Sequence, residues 1–279
     1  MALMSWRAQL KLDLRMEAGR CVARFEHDGP LRILQTLYPE GDAISHNVLV
    51  HPPSGLVGGD TLAVDVHAGP GTHGLITTPG ASRFYRSEGE AAVQRTSLSL
   101  ADGARLEWMP LEAICYSGCN AENRVTMELA PTAELLGWDI AALGLPAAQL
   151  PFEMGTLRQH IELRGAWLER GTISAGDEGL LNGPLGLAGQ RCLATLFFVS
   201  GSDMPKARRE LALELARERI ASHPLSAFAG ATSPNPRVVV VRALAPLVEP
   251  AIALLKSIRA AWRPALWGLA ATVPRTWAL

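Results

Sequence analysis

The residues best equipped for chemistry lie between His46 and Ser87, in the block HNVLVHPPSGLVGGDTLAVDVHAGPGTHGLITTPGASRFYRS. His46, His51, Asp60, Asp65, His67 and His73 bring imidazoles and carboxylates into one short stretch. That donor set suits a divalent metal ion. His46 and His51 are separated by five positions, which a straight strand places on opposite faces, so they converge only if the chain bends between them. The competing reading is a set of buried histidines, each spending its ring nitrogens on hydrogen bonds. Further on, Glu107 and Glu112 in Leu-Glu-Trp-Met-Pro-Leu-Glu and Asp139 in Gly-Trp-Asp have either salt bridges or a cation as prospective partners.

Other chemistries fit less well. Gly69-Pro-Gly-Thr-His-Gly74 has the spacing G-x-G-x-x-G, but a dinucleotide site needs a helix to begin there, and Leu75-Ile-Thr-Thr-Pro-Gly reads as a strand and then a turn. A hairpin turn is the expectation. The sequence has no G-x-x-x-x-G-K-[ST], no G-x-S-x-G and no H-E-x-x-H. Ser82 has no recognisable base beside it in sequence and reads as a structural hydroxyl. Cys115 and Cys119 lack a second pair at zinc spacing, so they read as half-buried thiols.

The elements that must position these groups are strands. Gly58-Gly59 supplies positive φ and Pro52-Pro53 fixes φ, so both pairs make corners. Leu62, Val64 and Val66 alternate with Ala63, Asp65 and His67, as in a strand with one buried face. The same period runs through Leu10–Leu14, Val125–Leu129 and Ile161–Leu163, while Cys192–Val199 is a continuous apolar run. Leu98 and Leu100, then Leu106 and Trp108, flank Asp102-Gly103 like the arms of a hairpin. Helical signals come late. Ser202 or Asp203 could cap a helix with Pro205 in its first turn, ending at His223-Pro224, and an apolar stripe predicts a second helix from Leu247 to Trp262. The loop from Pro224 to Pro236 reads as a mobile connection. The fold class is therefore mainly β: one large domain over 1–279 with many short strands, two α-helices near the C-terminus and a frayed start over 1–9.

Composition narrows the class. With 26 basic against 27 acidic residues the formal net charge is −1, unlike a nucleic-acid binder or a polybasic membrane anchor. The most apolar stretch, Leu135 to Phe152, is broken by Asp139, Gln149 and prolines, too often for a membrane span. It reads as core or contact surface, as does Leu247 to Trp267. Charges recur through the first twenty residues where a secretory signal would be apolar. Four cysteines in 279 residues are too sparse for a disulfide framework, which points to reduced thiols in the cytoplasm.

HPPSGLVGGD followed by TTPGASRFYRS closely resembles the signature of the UreD family, called UreH in some species. Gly29-Pro-Leu-Arg-Ile-Leu, Leu37-Tyr-Pro-Glu-Gly, Leu106-Glu-Trp-Met-Pro-Leu-Glu, Leu135-Leu-Gly-Trp-Asp and Pro274-Arg-Thr-Trp extend the likeness along nearly the whole chain. The resemblance implies a non-enzymatic urease maturation factor that holds no tightly bound cofactor. It implies a helical accessory partner of the UreF type, a GTPase partner of the UreG type, docking on apo-urease, and an internal polar path for nickel in transit. His46, His51, Asp60 and Asp139 are the candidate residues of that path. Ser117 stands where the family commonly carries an acidic residue. The alternative is a small-molecule enzyme with its site at the Gly58–Asp60 and Thr77–Ser82 corners.

Overall fold

The computed structural model describes residues 5–278. Residues 1–4 of the expected frayed start lie outside the described residues, and Arg7 to Gln9 already belong to the first strand. The chain opens with two antiparallel pairs, β1 (Arg7–Glu17) with β2 (Arg20–Asp28) and β3 (Arg32–Leu37) with β4 (Ile44–Val50). It then shuttles between two sheets through β5 (Gly55–Leu56), β6 (Thr61–Ala68), β7 (His73–Thr77), β8 (Ser82–Phe84), β9 (Ala92–Leu100), β10 (Arg105–Met109), β11 (Ala113–Cys115), β12 (Cys119–Leu129), β13 (Glu134–Leu143) and β14 (Gly155–Leu163). Strand β15 (Trp167–Ser174) folds back on β14 and is followed by the short helix α1 (Glu178–Asn182). β16 (Cys192–Ser200), α2 (Lys206–Ala221), β17 (Ala229–Asn235), β18 (Val238–Ala245) and α3 (Val248–Trp262) complete it.

One sheet has seven strands in the order β15-β14-β12-β9-β6-β1-β2, and the other has eleven, built on β17-β18-β16-β13-β10-β7-β4-β3. Strand takes 49% of the chain and helix 18%, as the alternation implied. What alternation did not reveal is direction. β1, β6, β9, β12 and β14 run parallel in one sheet, and β4, β7, β10 and β13 run parallel in the other. The expected hairpins at Gly69–Gly74 and Asp102-Gly103 are therefore arches that carry the chain from one sheet to the other. Both arms of an arch show the period of a hairpin, so period alone does not separate the two. The arches stack: Gly71 N donates to Asp102 O at 3.0 Å, and Gly103 N to Thr132 Oγ1 at 2.8 Å.

This winding creates two cores. Leu10, Leu62, Leu98, Val125 and Ile161 meet Leu106, Leu135, Ala141 and Phe197 between the sheets. The outer face of the larger sheet packs Leu136, Trp138, Ile140 and Phe198 against α2 and α3, through Ala212, Ala216, Leu254, Ile258 and Trp262. β13 is covered on both faces, which is why it reads as a nearly unbroken apolar run. Most of the apolar side chains in the stretches expected as contact surface are thus consumed internally: Trp262 is fully buried, and Leu266 and Trp267 are buried beside it, while Leu150 and Leu247 stay exposed.

Helix α2 starts at Lys206 with Pro205 at its N-cap and no side-chain cap, so Ser202 and Asp203 do not cap it. Pro250 lies in the first turn of α3, where no intrahelical donor is lost. The segment from Pro224 to Pro236 is not a free connection, since it forms a 3-10 turn and then β17, paired with β18. Among the described residues no helix is long and apolar enough to cross a membrane.

Candidate functional site

Polar side chains gather in two buried places. Between the sheets, Gln94, Asn123 and Gln159 occupy one register row across β9, β12 and β14, at positions that point inward. Asp139 faces them from β13. Ser82 Oγ donates to Gln94 Oε1 at 3.2 Å, Gln94 Nε2 to Asn123 Oδ1 at 3.4 Å, and Asn123 Nδ2 to Asp139 Oδ2 at 2.9 Å. Ser82, Gln94, Asn123 and Asp139 also line a small cavity with about 10 Å³ for the centre of a water molecule. That is room for one water. Burial pushes the Asp139 carboxyl up to about 6; a hydrogen bond from Gln159 opposes the rise and the charge of Glu169 adds to it. Among the described residues no cation offsets its charge.

The line of polar groups reaches toward the surface at both ends. Ser82 also borders a cleft with His51, Ser54 and Thr78. Gln159 borders a groove with Arg158, His160 and Arg170 on the opposite side of the smaller sheet. What connects the two is a string of side chains that includes a water-sized space.

The second place lies under α3, on the outer face of the larger sheet. Arg259 Nε donates to Glu107 Oε2 at 2.7 Å, and Arg263 Nε lies 3.1 Å from Glu107 Oε1. Arg263 Nη2 also bridges both oxygens of Glu40, at 3.0 and 2.9 Å. His46 Nε2 is 2.8 Å from Glu40 Oε1, and His73 Nε2 is 3.5 Å from Glu107 Oε1. Burial raises both carboxyls, but the neighbouring histidines and guanidiniums outweigh it: Glu40 is held at about 2 and Glu107 below its ordinary value. The arginines also tie down the C-terminal segment, Arg259 through Thr272 O and Arg263 through Ala270 O. Glu107 thus takes the salt-bridge option.

The four candidate path residues do not meet. His46 is engaged with Glu40 beneath α3. Asp60 is buried and accepts Val57 N at 2.9 Å and Trp6 N at 3.2 Å, closing the Gly58-Gly59 corner, where Gly59 has φ +88°. His51 lies with its ring 5.0 Å from Trp6; burial lowers its pKa against the pull of Asp60, and its buried Nε2 has no hydrogen-bond partner. Asp139 joins the polar line, and His51 borders the cleft at its outer end. Among the described residues no group of three or more His, Cys, Asp and Glu is placed to hold a metal ion.

At the two corners proposed for an enzyme, Thr77 Oγ1 donates to Met109 O at 2.7 Å and Ser82 binds the neutral amide of Gln94. Neither hydroxyl meets a base. Ser117 Oγ accepts the amides of Glu153 and Met154 at 3.2 and 3.1 Å, capping a turn. Cys115 and Cys119 are free and wholly buried rather than half-buried.

Sequence reasoning missed Gln94, Asn123 and Gln159. A signal existed, because each is a polar residue at an inward position of an alternating strand, and the three strands are successive in one sheet. Glu40, Arg259 and Arg263 left no local signal: Glu40 and Arg263 are 223 positions apart.

Known proteins give this geometry its context. A family model described as the UreD urease accessory protein matches residues 7–278. The chain is similar to the urease accessory protein UreD of Variovorax paradoxus (strain S110), 66% identical over 275 residues that cover 99% of this chain and 100% of the relative. It is similar also to UreD of Polaromonas sp. (strain JS666 / ATCC BAA-500), at 64% over 99% of this chain and 100% of the relative, and of Leptothrix cholodnii, at 53% over 98% and 99%. The chain belongs to the UreD family of urease accessory proteins.

Proposed function

We propose that the chain serves urease maturation as a non-catalytic scaffold in the cytoplasm. In this reading it docks on apo-urease with a helical UreF-type protein and a UreG-type GTPase, and passes nickel along the polar line between its sheets. The observation that carries the reading is the string Ser82–Gln94–Asn123–Asp139, which ends in a buried carboxylate without a cation partner. Its donors are oxygens of hydroxyl, amide and carboxylate groups. Such a set attracts a divalent ion yet holds it loosely compared with imidazole or thiolate cages. A site that closed around nickel would trap the cargo, and delivery requires release.

Physical magnitudes favour Asp139 as the attractor. Opposite charges about 4 Å apart gain roughly 4 kcal/mol at intermediate dielectric, enough to enrich a cation locally. His51, with its unpartnered ring nitrogen beside the Ser82 cleft, stands at the outer end of the same line. His46 and Asp60 support the walls instead.

The test is Asn123→Leu, which keeps the number and branching of side-chain heavy atoms and removes both hydrogen bonds of the central amide. In cells producing urease and its accessory proteins, activated urease should fall while the partner complex still co-purifies. Normal activation in that variant would remove the path from the mechanism, and pull-down of apo-urease tests docking separately. Thr77→Val separates the rival: an enzyme using that corner hydroxyl loses all activity, whereas the scaffold, whose polar line does not include Thr77, keeps most of its activation.

A further inference from the structure

The outer face of the seven-stranded sheet carries an arrangement that isolated sheets avoid. Arg95 on β9 is in register with Arg124 on β12, Arg124 with His160 on β14, and His160 with Arg170 on β15. Like charges directly opposite one another on neighbouring strands are destabilising. Arg158 stands in the adjoining row, opposite Glu122 and Thr172. Compensation is partial. Glu122 is shared between Arg124 at 3.4 Å and Arg158 at 3.7 Å, and Glu162 lies 2.9 Å from His160. Arg95 and Arg170 are exposed and pair with no carboxylate among the described residues. With 26 basic and 27 acidic residues, the chain as a whole has no cationic excess, so this row is a local choice.

We propose that this face docks a protein partner that presents a surface row of Asp and Glu carboxylates. Guanidinium forks spaced across adjacent strands match carboxylates side by side, and about 4.8 Å between strands sets the spacing of that complement. The position gives the contact a consequence. Gln159, whose side chain sits at an inward position on the side of Asp139, borders the same groove as Arg158 and Arg170. A cationic mouth repels a departing cation, and carboxylates laid over it cancel that repulsion, so the end of the line becomes passable to nickel when the partner is in place. The docking surface stands on charge alone; this consequence rests on the transit reading above.

The experiment uses the full chain with Arg170→Glu and Arg95→Gln/Arg170→Gln, and with Lys11→Glu as a control on the same sheet face outside the row. Binding of a short poly-L-glutamate peptide is measured from about 0.05 to about 0.5 M salt, and assembly with apo-urease and the accessory proteins by pull-down. The row variants should weaken peptide binding roughly five- to tenfold at low salt, with the difference vanishing at high salt, and should reduce assembly while thermal midpoints stay at or above that of the wild type. Lys11→Glu should have little effect. Equal loss in the control, no binding of the peptide by the wild type, or preferential binding of oligothymidylate would overturn the proposal. Normal assembly of the row variants alongside failed activation by Asn123→Leu would overturn this docking surface and leave the transit reading standing.

Discussion

Asp139 and Glu107 are both buried carboxylates on neighbouring strands of one sheet, yet their surroundings drive them in opposite directions. Asp139 points between the sheets at neutral amides, and burial pushes it up to about 6. Glu107 points the other way, toward α3, where His73, Arg259 and Arg263 hold it below its ordinary value despite deeper burial. Glu40, in the same network, sits at about 2. The difference teaches how to sort buried acids. A carboxylate whose charge is already balanced belongs to the scaffold, and one left without a counter-charge beside a water-sized space is available to a visiting cation.

The comparison breaks most visibly at Glu107. Replacing it with Ala strands two buried guanidiniums, and loss of one partner of a buried pair costs roughly 3 to 5 kcal/mol. Urea denaturation should show that loss, and release of the C-terminal segment held by Arg259 and Arg263 should raise amide exchange around Thr272. A variant as stable as the wild type would mean that the network is not structural.

At Asp139 the sign reverses. Its folded pKa of about 6 lies above its ordinary 3.8, so the folded protein binds the extra proton between those values. Stability attributable to this group therefore falls as pH rises through about 4 to 6 and stays low above that window. Asn at position 139 keeps an acceptor for Asn123 and removes the charge. It should stabilise the protein above about pH 6 by up to roughly 3 kcal/mol and be close to neutral below about pH 4. Glu40 gives the opposite limb: its contribution is complete above about 4.5 and lost as pH falls through about 2. Thermal midpoints of wild type and Asp139→Asn across this range should converge in acid and separate near neutrality.

Asp60→Ala tests the third carboxylate. It leaves the amides of Val57 and Trp6 unpaired at a buried corner, a cost of roughly 1 to 3 kcal/mol. Activation should decline only in proportion to folded protein, as measured by midpoint and activated urease together. A loss of activation at unchanged midpoint would place Asp60 on the path after all. Smallest is Lys11→Glu, an exposed change expected to stay within about 0.5 kcal/mol of wild type.

Much of this architecture was legible in the sequence. Strands with one buried face follow from alternation at Leu62–Val66 and Val125–Leu129, and the stripe Leu254, Leu255, Ile258, Trp262 specifies α3 because helical period and burial agree. The direction of pairing was not legible. An arch and a hairpin share the turn chemistry of Asp102-Gly103, and only long-range stacking of β9 on β12 decides between them. Of the candidate path, Asp139 was readable as a lone carboxylate in an apolar run. The engagement of His46 was not legible, because its partner Glu40 owes its own place to Arg263, far along the chain.

The central claim is that Asp139 serves the passing cation and not the fold. Its most direct test is Asp139→Asn, with thermal midpoint above pH 6 and activated urease measured side by side on the same protein. A midpoint at or above wild type, intact partner pull-down and lost activation are the predicted result. Normal activation would contradict the account, as would a lowered midpoint large enough to explain the loss.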